Sequence, residues 1–235
     1  MFLILKFISY PILLIFLAVN AYCVYKAGTD IIQYYKAYLW FAVGIATYFV
    51  IKPLFRKNLS FLETFTHELT HTIVGLIFFQ RIHSFTATDG EGGVMKHSGK
   101  HTNNVFIALA PYFLPIFTFT LLLFRIMVKT EYLQFFDVLI GLSVAFHFVA
   151  MIKDIRPNQS DIKTCGYVFS YLFISAFLLF NTSIILWSIQ NGISVAFVNW
   201  WDNAVFWAGN LRSFGTMVNN GLTFSYRKKI ILRWI

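Results

Sequence analysis

Long apolar runs, each close to the length of a bilayer crossing and separated by short polar breaks, set the pattern of this chain. Residues 2–25 form the first run. It is too long and too rich in Phe for a signal peptide and has no small-residue cleavage site behind it, so it reads as a retained first helix. A second run, 34–51, stops at Lys52-Pro53, where proline and the charges of Lys52, Arg56 and Lys57 end a helix at the cytosolic interface. The third opens on Leu59-Ser60-Phe61-Leu62-Glu63, a capping box in which Ser60 covers the first turn and Glu63 reciprocates, and is expected to continue to residue 79. Residues 80–104 are the longest polar stretch. In it, Ile82-His83-Ser84-Phe85-Thr86-Ala87 and Gly93-Val94-Met95-Lys96 flank Asp89-Gly90-Glu91-Gly92, the pattern of two short strands around a glycine turn. A fourth run, 105–124, carries Pro111 and Pro115, which are expected to bend it or expose carbonyls near its beginning. A fifth covers 132–152 and a sixth 162–188. Beyond them Trp200-Trp201, Trp207, Arg227-Lys228-Lys229 and Arg233 alternate with small residues without a clean span, the pattern of an interfacial segment.

The fold class expected is therefore an all-α polytopic membrane protein, with about six transmembrane helices and a small β-hairpin after the third. Its regions are N-terminal helices over 1–58, a membrane core over 59–190 with the hairpin region at 81–103, and an aromatic and basic interfacial tail over 191–235. Composition agrees: 58% of the residues are hydrophobic and 12% charged, far from a soluble protein's balance. The net charge of +9 reflects only 10 acids against 19 bases, and the bases are scattered over interhelical segments and the C-terminus. That distribution excludes a nucleic-acid binder and fits Lys and Arg against lipid headgroups. With six spans, the larger share of bases falls on the side of both termini, which places them in the cytosol. Cys23 and Cys165 lie in or beside apolar segments and read as packing residues, not as a disulfide or a thiolate metal site.

In so apolar a chain the third helix stands out, because it carries His67-Glu68-Leu69-Thr70-His71. Histidines four apart share a helix face and can hold one zinc ion, with Glu68 close enough to take a proton from attacking water. A carboxylate about 10 Å into a span is costly unless it faces water, a partner or a metal. Two histidines leave zinc short of its usual three protein ligands. Asp137, His147, Asp154 and Asp161 are the candidates for the third. Asp161 after Ser160 also suits a helix first turn, His147 sits in the wholly apolar Val144-Ala145-Phe146-His147-Phe148-Val149, and Asp137 matches the histidines in depth if the third and fifth helices run parallel. His83, His97 and His101 form a weaker metal candidate on a glycine-rich stretch that does not preorganise them. An edge strand beside the zinc would let Ser84, Phe85 and Thr86, or Gly93, Val94 and Met95, hold a substrate backbone by strand addition.

These residues resemble the M50 family of intramembrane zinc metalloproteases, the site-2 protease class, and above all its compact M50B-like branch without a PDZ domain. The resemblance runs over residues 60–170. It rests on the His67-Glu68-Leu69-Thr70-His71 motif, Gly92-Gly93-Val94-Met95, the segment Ala108-Leu109-Ala110-Pro111-Tyr112-Phe113-Leu114-Pro115, and Pro157-Asn158-Gln159-Ser160-Asp161. It implies an endopeptidase that cuts membrane protein or peptide substrates in or beside their transmembrane segments. It also implies that His67 and His71 bind zinc, that Glu68 activates water, and that an aspartate completes the site. The family's Leu-Asp-Gly is missing here. Ser160-Asp161 resembles the Ser-Asp of the compact branch and is preferred, with Asp154, His147 and Asp137 left open. The hairpin would take the family's substrate-binding role, and the tail beyond residue 190 stands as an anchor, a regulatory surface or a partner site. Two rival readings keep the same residues: a membrane zinc-binding or transport protein using His67, Glu68, His71 and His147 as relay ligands, and a silent membrane scaffold.

Overall fold

The computed structural model describes residues 2–86, 94–98 and 104–220. The chain runs through α1 (Phe2–Gln33), α2 (Leu39–Leu54) and α3 (Arg56–Ile77), then strands β1 (Arg81–Thr86) and β2 (Val94–Ser98). After these come α4 (Val105–Phe113), α5 (Ile116–Arg125), α6 (Leu133–Asp154), α7 (Ser160–Cys165), α8 (Tyr167–Asn191) and α9 (Ile193–Asn220). Among the described residues, four helices are long and apolar enough to cross a membrane, α1, α2, α6 and α8. The pair α4–α5, bent by 75°, makes a fifth if it counts as one span.

The sequence pattern counts six spans, with two full crossings between the second and the fifth. The packing of α2 on α6 corrects the two crossings between them. Gly44 lies against the Val138 carbonyl and Gly141 against the Phe41 carbonyl, so closely that a Cβ on either would collide with backbone. One helical step on, Tyr48 meets Phe146 edge-on, and at the helix ends Lys52 and Lys153 line one cavity. Residue numbers rise together along both helices, so α2 and α6 run parallel. The chain between them makes one net crossing, shared by α3, the strands and α4–α5. Polar residues explain why α3 fails as a span of its own: Arg56, Lys57, Glu63, His67, Glu68 and His71 all lie on it.

The break between α4 and α5 falls at Leu114-Pro115, where proline supplies no N–H and cannot continue the ladder. A bare carbonyl there would be costly in an apolar interior. Asn181 of α8, itself buried, donates its side-chain N–H to the Phe113 carbonyl at 2.7 Å. From the break α4 lies back along α3, with Ile107 at His71 and Tyr112 at His67. In the other direction α5 runs antiparallel to α6, through a Thr118–Ser143 hydrogen bond of 2.9 Å and an Arg125–Asp137 ion pair of 2.9 Å.

Two further local expectations change. α3 begins at Arg56, one turn before Ser60, with Phe55 at its N-cap and no side-chain cap bond. Ser60 is thus inside the helix, and the capping box does not form. Glu63 instead accepts from Lys153 Nζ at 2.7 Å, a full-charge partner that outcompetes a backbone N–H. The region after Gly192, expected to lie along the interface or dip into it without a clean span, forms the helix α9, and tryptophan hydrogen bonds tie α8 and α9 to α1. Trp200 Nε1 donates to Asn20 of α1 at 2.8 Å, while Trp187 of α8 donates to Asp30 of α1 at 2.7 Å. Residues 221–235 lie outside the described residues.

β1 and β2 pair antiparallel, Phe85 opposite Met95 and Thr86 opposite Val94, with an irregularity between Ile82 and Ser84. Gly93 and the glycine turn 89–92 lie outside the described residues, as does His101. Cys23 and Cys165 are buried and form no disulfide, in keeping with packing roles. Behind the His67–His71 segment, Val74, Ile107, Tyr112, Ile162 and Phe169 belong to one apolar cluster that ties α3, α4, α7 and α8 together.

Candidate metal centre

α3 turns His67 and His71 to the same side, with ring centroids 5.0 Å apart. Asp161 comes to them from α7. That helix is six residues long, and Gly166 ends it at φ 90°, a left-handed conformation that favours glycine and starts α8 in a new direction. One carboxylate oxygen, Asp161 Oδ2, lies 3.5 Å from His71 Nε2 and 3.8 Å from His67 Nε2. Ligands of a tetrahedral zinc with bonds near 2.0–2.1 Å stand about 3.3 Å apart. His67, His71 and Asp161 thus have the donor types and spacing to hold a zinc ion, and their ligand atoms all lie within 4.8 Å of one another.

The far side of each ring is fixed as well. His71 Nδ1 donates to the Ile107 carbonyl at 2.7 Å, and His67 Nδ1 donates to Asp154 Oδ2 at 3.2 Å. Each bond holds its proton on Nδ1 and leaves Nε2 as the metal-facing nitrogen. The Ile107 carbonyl is free for this because its partner one turn on would be the N–H of residue 111, and that residue is proline. Tyr112 O–H donates to Asp161 Oδ2 at 3.2 Å, and its ring meets His67 edge-on at 5.3 Å. Glu68, between the histidines in sequence, is buried and within electrostatic reach of both and of Asp161.

The remaining candidates separate cleanly. Asp154 belongs to the site through His67, not as a direct member of the cluster. Asp137 is at the opposite end of α6, roughly 25 Å away along the helix at 1.5 Å per residue, and is held by Arg125 at 2.9 Å. The depth match proposed for it fails because α3 and α6 enter from opposite faces. His147 is buried with Nε2 unpartnered and borders a cavity of about 20 Å³ beside His67, Thr70 and Asp154, room for a single water. His83 and His97 fall on the strands, and among the described residues the one cluster of metal-ligating side chains is that of His67, His71 and Asp161. The Ile107 carbonyl and Tyr112 were not singled out from the sequence. The prolines of the Ala108–Pro115 segment were the available clue to the first.

The model of a known family, described as Peptidase M50B-like, matches residues 34–213, more than half of the chain. The chain belongs to the Peptidase M50B-like family. Membership in this family makes it an integral membrane protein and, at the level of the family, a metalloprotease. The M50B-like match takes in every residue of the cluster and extends past the 60–170 of the motif resemblance to include α2 and most of α9. No curated protein and no solved structure matches the chain.

Proposed function

We propose that this M50B-like chain is a zinc-dependent endopeptidase that cuts membrane protein or peptide substrates in or beside their transmembrane segments. The observation that carries the reading is the pair of imidazole Nε2 atoms turned to one Asp161 oxygen with both Nδ1 atoms tied down. His67, His71 and Asp161 would hold the zinc, which supplies Lewis-acid polarisation of the scissile carbonyl and makes water a better nucleophile near neutral pH.

The other roles belong to side chains and backbone. Glu68 takes a proton from the attacking water and passes it to the departing amine. Asp154 and the Ile107 carbonyl orient the two rings, and Tyr112 orients Asp161. The strands bearing Ser84, Phe85 and Thr86, and Val94 and Met95, offer an edge along which an extended substrate backbone can pair. A substrate helix hides its carbonyls in hydrogen bonds, so segments with helix-breaking residues are the preferred substrates.

The hairpin, the interrupted crossing of α3 with α4–α5, and a sixth crossing by α9 complete the architecture of this reading. The Lys52, Arg56 and Lys57 turn and the N-terminus lie on the cytosolic side. α9 leaves the opposite face at Gly192 and, at 1.5 Å per residue, is about 42 Å long, enough to bring the C-terminal tail back to the cytosol. A relay of metal sites through the membrane, as transport would need, has less support, because the described residues bring together one such cluster.

Glu68→Gln is the direct test. The variant is expected to keep zinc at the wild-type ratio and to lose at least about a hundredfold in cleavage rate on a transmembrane peptide in liposomes. Wild-type cleavage by E68Q would remove Glu68 from the mechanism.

A further inference from the structure

A second polar cavity, of about 280 Å³, opens where α2 ends, α3 begins and α6 ends, lined by Lys52, Arg56, Leu59, Ser60, Glu63 and Lys153. Three cations border it against one carboxylate, in a chain that is only 12% charged. Glu63 is spent on Lys153, at 2.7 Å, and that lysine side chain is still 48% exposed. Lys52 lies over the Tyr48 ring at 5.9 Å, a contact that leaves its ammonium free to meet an anion. Neither Lys52 nor Arg56 forms an ion pair among the described residues. The uncompensated charge therefore faces the cavity.

Its place in the fold says what would reach it. The ends of two apolar helices that run parallel, α2 and α6, bring Lys52 and Lys153 to the same membrane face, and Arg56 opens α3 just beyond the end of α2. Cations in a recess between helices at headgroup level attract anionic headgroups, and an arginine fork adds paired hydrogen bonds to phosphate oxygens. The volume accepts a phosphate with part of its substituent but not a folded peptide.

We propose that this recess binds a phosphate-bearing anion, as an anionic phospholipid headgroup or as free phosphate, through Lys52, Arg56 and Lys153. The site is separate from the metal cluster and does not depend on the chain being a peptidase. Glu63 borders both this recess and the small cavity at His67 and Asp154. An anion that draws Lys153 away from Glu63 therefore acts on a residue that also lines the small cavity beside His67.

The test is lipid retention by the purified full-length protein in detergent, read by native mass spectrometry. Its arms are phosphatidylglycerol, phosphatidylcholine and inorganic phosphate. The wild type is expected to retain phosphatidylglycerol over phosphatidylcholine, or to bind inorganic phosphate if the free anion is the occupant. Each basic side chain at a membrane surface contributes about fivefold in affinity, so K52Q/R56Q should lose about 25-fold. The control K36Q/K129Q, with the same change of net charge outside the recess, should bind like the wild type. S60D, which adds a negative charge to the lining and keeps all three cations, should also lose binding, and far-UV circular dichroism with the thermal unfolding midpoint reports that each variant is folded. Equal retention of both lipids with no phosphate bound would overturn the proposal, and so would wild-type binding by folded S60D and K52Q/R56Q.

Discussion

Each histidine of the motif has two ring nitrogens, and the structure gives them different work. Nδ1 is committed to Asp154 or to the Ile107 carbonyl, so Nε2 is the atom left to meet a metal beside Asp161. This division predicts two kinds of loss. D161A removes a proposed ligand and should abolish stoichiometric zinc. D154A frees one ring to reorient and should weaken zinc by about 10–100-fold while the site still fills at high zinc. Zinc titration of the two variants decides between them, and the reverse pattern would exchange the roles of the two aspartates. His67, Glu68 and His71 were legible in the sequence because a helix puts residues four apart on one face. The third position was open among four residues because the choice depends on tertiary placement. Gly166 and the short α7 bring Asp161 in, while Arg125 removes Asp137, and neither fact has a local pattern in the sequence.

Among the elements, α2 and α6 pack the most closely, each through a glycine that faces the other's carbonyl. Without a hydrophobic force between helices in lipid, this close approach is what holds them. A methyl group at either position must push backbone away, so G44A and G141A should each lower stability by about 1–3 kcal/mol. Thermal or denaturant unfolding in detergent measures it, and a wild-type midpoint in both would show that the helices have room to spare. The pair matters for function because α6 carries Asp154, and the register of α6 on α2 sets where that carboxylate meets His67. Apolar periodicity found most of the helices but misplaced the start of α3, since a capping box is a local preference and Lys153 is a stronger partner for Glu63. It read 105–124 as one run bent at its prolines, and the 75° bend between α4 and α5 bears that out. Pro111 and Pro115 showed where that span is interrupted, but the rescue of the Phe113 carbonyl by Asn181 joins residues 68 positions apart in sequence.

For the whole molecule, hydropathy gave the membrane class and missed the path of the chain. It counted 59–79 and 105–124 as full crossings, although α3 is too polar to span alone and α4 and α5 are each too short. The parallel pairing of α2 and α6 turns this region into one interrupted crossing, and that interruption is where the histidines, Asp161 and the strands gather. Breaks in a membrane crossing are tolerated where protein satisfies the backbone, and the same breaks give polar groups and water a place at depth. The central claim is that this interruption holds one zinc on two imidazoles and a carboxylate. X-ray absorption at the zinc edge of the purified full-length protein tests it most directly. One zinc per chain is expected, with only nitrogen and oxygen neighbours at about 2.0–2.2 Å. A sulfur shell at about 2.3 Å, or a protein that takes up no zinc, would contradict it.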